Sequence, residues 1–201
     1  MHTFNFITKR LPYLQQDLPI IDGTQHIGER TIEIPIAKEY IAAHDTDERF
    51  LEIGAVTPYF RKALGGEPTW PVYDLYDSWG RCVRMDAEDL TYTDANVLSI
   101  STIEHMGMLE YGNTEEDKVK AAQVFQKITT QARSFLLSWP VGHNYHLDCL
   151  ARVSGVPFIM YQQVDPNNRW RMIPESETAW NARYGFPYQF GNVVVFFFNA
   201  S

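Results

Sequence analysis

The stretch that most restricts how this chain can fold is Phe50-Leu51-Glu52-Ile53-Gly54-Ala55-Val56-Thr57-Pro58-Tyr59. A short, largely apolar run ends at a glycine, and residues 59–64 can form a short helix. The pattern predicts strand, turn and helix, with a ligand cleft at the strand's carboxyl end. Gly54 supplies the tight turn. Glu52, an acid inside an apolar strand, is costly to bury unless it meets a cation or hydrogen-bond donors. It is either a cleft residue at the strand tip or a buried acid satisfied by backbone amides.

A second anchor follows. Trp70-Pro71-Val72-Tyr73 reads as the next strand and ends in Asp74, 22 residues after Glu52. A Rossmann-type fold places there the carboxylate that grips ribose hydroxyls. A dinucleotide also needs Gly-x-Gly-x-x-Gly, so that backbone amides can approach a pyrophosphate. Here Gly54 is followed by Ala55, Val56, Thr57 and Pro58, and the proline removes an amide donor. A nucleoside with no phosphate and a positive centre suits these residues better, and S-adenosylmethionine has that chemistry.

At 201 residues and 45% hydrophobic content the chain can bury a full core as one unit. Its net charge of -8, from 17 basic and 25 acidic side chains, gives no broad basic face. Nucleic acid is therefore not expected as a partner, and a small-molecule acceptor is. Cys82 and Cys149 have no metal-binding spacing and point to a reducing compartment. The first residues lack a basic segment followed by an apolar core, and no run approaches a membrane span, so a cytoplasmic protein without membrane attachment is expected.

Residues 1–30 read as an irregular arm, with Pro12, Pro19 and Gly23, and residues 31–201 as a single α/β domain. Residues 31–36 alternate, but Pro35 limits them to an edge strand or lead-in, and a helix is expected over 37–43. Further strands are expected at 82–85, 96–101 and 135–139. The segments between the second and fourth strands are too short for ordinary crossover helices. One face is then thinly covered, which suggests the arm or a second copy of the chain against it, a homo-oligomer. Thr114 and Asp117 resemble a capping box ahead of an apolar stripe, Val119, Ala121, Ala122, Val124, Phe125 and Ile128. The runs 158–164 and 193–198 suggest an antiparallel pair.

The fourth strand runs into Ser101-Thr102-Ile103-Glu104-His105-Met106-Gly107. Ser101 and Glu104 match a capping box, whereas His105 has a side chain able to take a proton near neutral pH. After the fifth strand, His143, His146 and Asp148 invite comparison with a metal site, yet a complete ligand set is missing and a polar substrate loop is preferred, so no metal is expected. Tyr145, Trp139, Trp170 and Trp180 are either stacking surfaces or core.

The order Leu51-Glu52-Ile53-Gly54, Val72-Tyr73-Asp74-Leu75-Tyr76, Asp86-Ala87 and Leu98-Ser99-Ile100-Ser101-Thr102-Ile103-Glu104-His105-Met106-Gly107 resembles class I S-adenosylmethionine-dependent methyltransferases. It looks most like a small bacterial and viral subgroup met beside glycan-modifying enzymes. The resemblance implies a Rossmann-like, mostly parallel sheet of about seven strands with the last antiparallel and helices on its faces, from which this sequence departs in its reduced crossover helices. It implies that Glu52 and Gly54, with the adjoining Ala55, lie near the methionine end of the cofactor. Asp74, followed by Leu75, would be at the ribose, Asp86 and Ala87 beside the adenine, and Ser101 by the methionine tail. His105 would face the transferring methyl as a base and His143 would contact the acceptor, for O- or N-methylation of a small polar molecule such as a sugar. The usual second glycine of the first motif is absent. A non-catalytic module of the same fold is the alternative, and a nicotinamide oxidoreductase a more distant one.

Overall fold

The computed structural model describes residues 13–14, 28–44, 46–77, 79–111 and 115–199. Strand parity organises it. Along β6 (Ser134–Pro140), Phe135, Leu137 and Trp139 point to one face of the sheet and Leu136 to the other. β9 (Val193–Phe198) divides in the same way, Val193, Val195 and Phe197 against Val194 and Phe196. Both strands are buried along their whole length, so β9 runs without polar interruption and β6 is interrupted only by Ser138 between its apolar residues.

The remaining strands are β1 (Tyr13–Leu14), β2 (Phe50–Ile53), β3 (Val72–Asp74), β4 (Cys82–Arg84), β5 (Asn96–Ile100), β7 (Phe158–Gln163) and β8 (Trp170–Ile173). Among the described residues they form one nine-stranded sheet in the order β1-β8-β7-β9-β6-β5-β2-β3-β4. The block β6-β5-β2-β3-β4 is parallel. β9 enters antiparallel between β6 and β7, with Leu137 opposite Phe197 and Phe158 opposite the same residue on the other side. The Rossmann-like α/β fold with an antiparallel last strand is therefore present. It is wider than the expected seven strands because the β7-β8 hairpin and β1 continue it beyond β9.

Helix α1 (Arg30–His44) covers one face, α2 (Arg61–Leu64) is a single turn after β2, and α3 (Lys120–Gln131) and α4 (Tyr145–Val153) cover the other face beside α5 (Glu177–Trp180). The expected strand at 31–36 is instead the first half of α1, with Pro35 inside the helix. Pro35 forfeits one helical hydrogen bond. Ile32, Ile36 and Tyr40, four residues apart, lie in one cluster with Phe50, Leu98, Ile100 and Leu136. Burying such side chains stabilises by about 1.5–3 kcal/mol each, enough to outweigh that loss. Of the expected arm, only Tyr13–Leu14 and residues 28–30 are described, and Thr114, with its capping box, lies outside the described residues; α3 begins at Lys120 without a side-chain cap. β3 and β4 are parallel neighbours across a connection of only residues 75–81. Strands of three residues span roughly 10 Å, so a seven-residue segment can return without a helix. No helix among the described residues is long and apolar enough to cross a membrane.

Phe197 is the centre of the larger core. Its ring stacks on Trp139 at 4.9 Å between centroids and meets Phe125 edge-on at 5.1 Å. Phe197→Ala should cost about 3–5 kcal/mol, read as a lowered urea midpoint with an unchanged slope.

Candidate functional site

The carboxyl ends of β2, β3 and β5 and the segment after β4 open onto one cavity of about 590 Å³. Its shape begins with Gly54, whose φ of +84° lies in the left-handed region. A Cβ there would sit 2.0 Å from Thr102 Oγ1, so the approach of the β2 turn to the β5 turn admits only glycine. Ser101 itself carries a φ of +37°, a costly conformation for a side-chain-bearing residue. Its hydroxyl donates to Glu33 Oε1 at 2.7 Å, as does Ser138 at 2.8 Å, while Arg30 pairs with the other Glu33 oxygen.

Gly54, Ala55, Asp74, Leu75, Asp86, Ala87, Ser101 and His105 all line this cavity. Asp74 is held by three backbone amides: Ala55 N donates to Oδ2 at 3.0 Å, and Tyr76 N and Asp77 N to Oδ1 at 2.8 and 2.9 Å. A carboxylate has about four acceptor positions, so Asp74 keeps capacity for a further donor. Asp86 caps the turn after β4, accepting from Glu88 N, and pairs with Lys120. Burial lowers the basicity of Lys120, and the Asp86 hydrogen bond and charge more than reverse this, so its pKa is raised.

Glu52 is a correction. It does not line the cavity and is buried on the Phe50 side of β2. Its Oε1 accepts from Val56 N at 3.1 Å and Thr57 N at 2.8 Å, and its Oε2 from the Thr57 hydroxyl and from Trp70 Nε1 at 3.1 Å. These contacts shape the turn after β2. Burial pushes its carboxyl up to about 7, against the pull of these four donors.

His143 is also displaced from its expected place. It does not line the cavity but packs edge-on behind His105, with ring centroids 4.4 Å apart. The pairing is built by Asn144, which caps α4 through Leu147 N and donates through Nδ2 to the Glu104 carbonyl at 3.0 Å. Desolvation, then the neighbouring His105, lowers the His143 pKa. His146 is exposed, and Asp148 is bound to Trp139 Nε1 and Gly142 N at 2.9 and 2.8 Å, so the sequence neighbours of His143 do not join it. Trp139, Trp170 and Trp180 are core, whereas Tyr145 is exposed.

Four contributors escaped the sequence reading. Arg30 lines the cavity from the start of α1, and Lys120 from the start of α3. Tyr111 stacks on Tyr76 at the cavity wall, with centroids 5.8 Å apart. Glu110 places Oε2 2.5 Å from His105 Nδ1 and Oε1 3.6 Å from His143 Nε2. The loop carrying Glu110 and Tyr111 is closed by Asp117 N donating to the Gly107 carbonyl at 2.8 Å. Arg30 could have been noticed as the i,i+3 partner of Glu33; Glu110 had no local signal.

Charge is uneven across the cavity. Asp74, Asp77, Asp86, Glu115 and Asp117 line it against the cations Arg30 and Lys120, and Lys120 is already engaged by Asp86. A concave, acidic, partly aromatic site of this size suits a nucleoside-sized cation.

No protein-family model matches the chain, and no curated protein matches it. Among solved structures it is similar to an S-adenosylmethionine-dependent methyltransferase of Thermotoga maritima, described as a possible histamine N-methyltransferase, with 13% identity over 80% of this chain and 86% of the other and a TM-score of 0.43. It is also similar to magnesium protoporphyrin IX methyltransferase of Synechocystis PCC 6803 with bound S-adenosylmethionine, with 9% identity, 98% and 94% coverage and a TM-score of 0.44.

Two outcomes follow from the turn geometry. Because the Glu52 carboxyl titrates higher folded than unfolded, its contribution is complete below about pH 4.5 and is lost as pH rises to about 7. The loss amounts to about 3 kcal/mol. Asp148, pushed up to about 6 by burial, acts with the same sign over a lower window. Urea midpoints across pH should therefore fall between pH 4.5 and 7, and Glu52→Gln should flatten the upper part of that slope. An unchanged slope would contradict the assignment. Gly54→Ala should destabilise the fold and reshape the cavity, detected as a lowered melting temperature.

Proposed function

We propose that the chain is an S-adenosylmethionine-dependent methyltransferase acting at oxygen or nitrogen of a small polar acceptor. The observation that carries this reading is the acidic cavity at the carboxyl ends of β2, β3 and β5, with Asp74 at its rim and no phosphate cradle. In this reading the ribose hydroxyls donate to Asp74. The adenine lies among Leu75, Met85 and Ala87, and the methionine tail runs past Gly54 and Ser101, its carboxylate towards Arg30. Bound in this way the cofactor supplies an electrophilic methyl on a cationic sulfur.

The chain's own residues then have three tasks. The acidic walls favour the sulfonium over its neutral product, which assists product release. The Tyr76–Tyr111 stack gives the cavity wall an aromatic surface for the bound molecules. His105, which lines the cavity with Glu110 on its Nδ1, faces the acceptor and relieves the attacking atom of its proton. Methyl transfer needs mainly in-line placement, so few reactive groups suffice.

Calorimetric titration of the purified chain with S-adenosylmethionine should show one saturable site. Asp74→Asn keeps the shape but removes the charge, and should weaken it about tenfold to a hundredfold, the value of a charged hydrogen bond. Saturable binding that is unaffected by Asp74→Asn, in a variant with unchanged circular dichroism, would refute the assignment.

A further inference from the structure

We propose that His105, Glu110 and His143 hold a divalent transition-metal cation, zinc or manganese, at the cavity wall, where it binds the acceptor hydroxyl. The location beside a methyl donor rests on the function proposed above; the metal site itself rests on three side chains. One ligand atom from each falls within 4.8 Å of the others. Bonds of about 2.0–2.1 Å in tetrahedral geometry place ligand atoms roughly 3.3 Å apart, so rotamer adjustments bring the trio into coordination range. The Glu110 carboxylate already turns one oxygen to each imidazole, 2.5 Å from His105 Nδ1 and 3.6 Å from His143 Nε2.

An ion pair between His105 and Glu110 accounts for only part of this arrangement. At 3.6 Å, His143 Nε2 is too far from Glu110 for a hydrogen bond, yet its ring is half-buried and held against His105. Glu104, fully buried, has no hydrogen-bond partner on either carboxyl oxygen among the described residues, and Oε1 lies 3.7 Å from His105 Nε2. A metal on Nδ1 would leave Nε2–H facing that carboxylate, and closing the 3.7 Å gap by a few tenths of an ångström would make the hydrogen bond that orients a metal-binding imidazole. Asn144 ties the His143 turn to the Glu104 carbonyl, and Asp117 N donates to the carbonyl of Gly107, three residues before Glu110. Imidazole and carboxylate donors suit zinc or manganese over magnesium or calcium.

Three protein ligands would leave an open position, and of the three His105 lines the cavity, so an acceptor bound there would reach the ion from that side. With a metal on its Nδ1, His105 would be a ligand and not a base. A hydroxyl coordinated to the ion would lose its proton to water more readily, the ion taking over the task given to His105 above. The resulting oxygen forms a bond to the methyl carbon as the carbon–sulfur bond breaks. The electron pair stays on sulfur, giving neutral S-adenosylhomocysteine. The acceptor class that follows is a hydroxyl-bearing molecule, with oxygen the methylated atom.

The chelator-stripped chain is titrated with Zn²⁺ and Mn²⁺ alone, and S-adenosylmethionine binding is measured separately. One equivalent should bind, and Co²⁺ substitution should give an absorption spectrum indicating nitrogen and oxygen ligands. Glu110→Gln, on an exposed loop, and His143→Ala should each weaken the metal about a hundredfold, while Glu104→Gln should weaken it about tenfold. His146→Ala should not alter metal affinity, and Asp74→Asn should weaken S-adenosylmethionine without affecting the metal. Absence of saturable Zn²⁺ and Mn²⁺ binding, or equal affinity in wild type, Glu110→Gln and His143→Ala, overturns the metal site. If metal binds and S-adenosylmethionine does not, the metal site stands and the methyl-transfer reading falls; the reverse result separates them the other way.

Discussion

The carboxylate of Glu52 determines how the chain leaves the middle of the sheet. It draws the amides of Val56 and Thr57, the Thr57 hydroxyl and the Trp70 indole onto one buried point. That fixes the turn after β2, which puts Gly54 against Thr102 and lets the Ala55 amide reach Asp74. Without a satisfied acid at this position, the strand tips that frame the cavity would have no common reference. A buried carboxyl is costly to the fold, and here it is offset by donors drawn from the turn it organises.

The parallel half of the sheet was readable because its strands are short apolar runs broken by glycine, proline and aspartate. Phe50–Ile53 and Asn96–Ile100 lie where hydrophobicity puts them, and Asp74 ends its strand as spacing requires. Parity along β2 pairs Glu52 with Phe50, but it does not say on which face of the sheet the cavity opens. The first half of α1 was misread because Pro35 signals a break locally, whereas the packing of Ile32, Ile36 and Tyr40 on the sheet decides the outcome. Propensity is a weak prior where a full apolar face is buried.

The reactive cluster was the least legible part. His105 stood out by its chemistry, and His143 was noticed for the wrong neighbours. Its partner in space is Glu110, brought by a loop closed between Gly107 and Asp117. No spacing rule connects residues 105, 110 and 143, because their meeting depends on two loop geometries and on Asn144 tying them together. Arg30 belongs to the same category: it reaches the cavity only because α1 starts beneath the β5 turn.

β9 has a consequence for how the molecule is assembled during synthesis. It is the wedge between β6 and β7, so the parallel block and the β7-β8 hairpin have no direct ladder to each other until it arrives. A nascent chain that has emerged only through β8 therefore presents two unpaired strand edges, and the segment that unites them is Val193-Val194-Val195-Phe196-Phe197-Phe198, prone to self-association when unpaired. Such a topology places a premium on rapid docking of this segment, or on its protection by a chaperone, once translation has passed it.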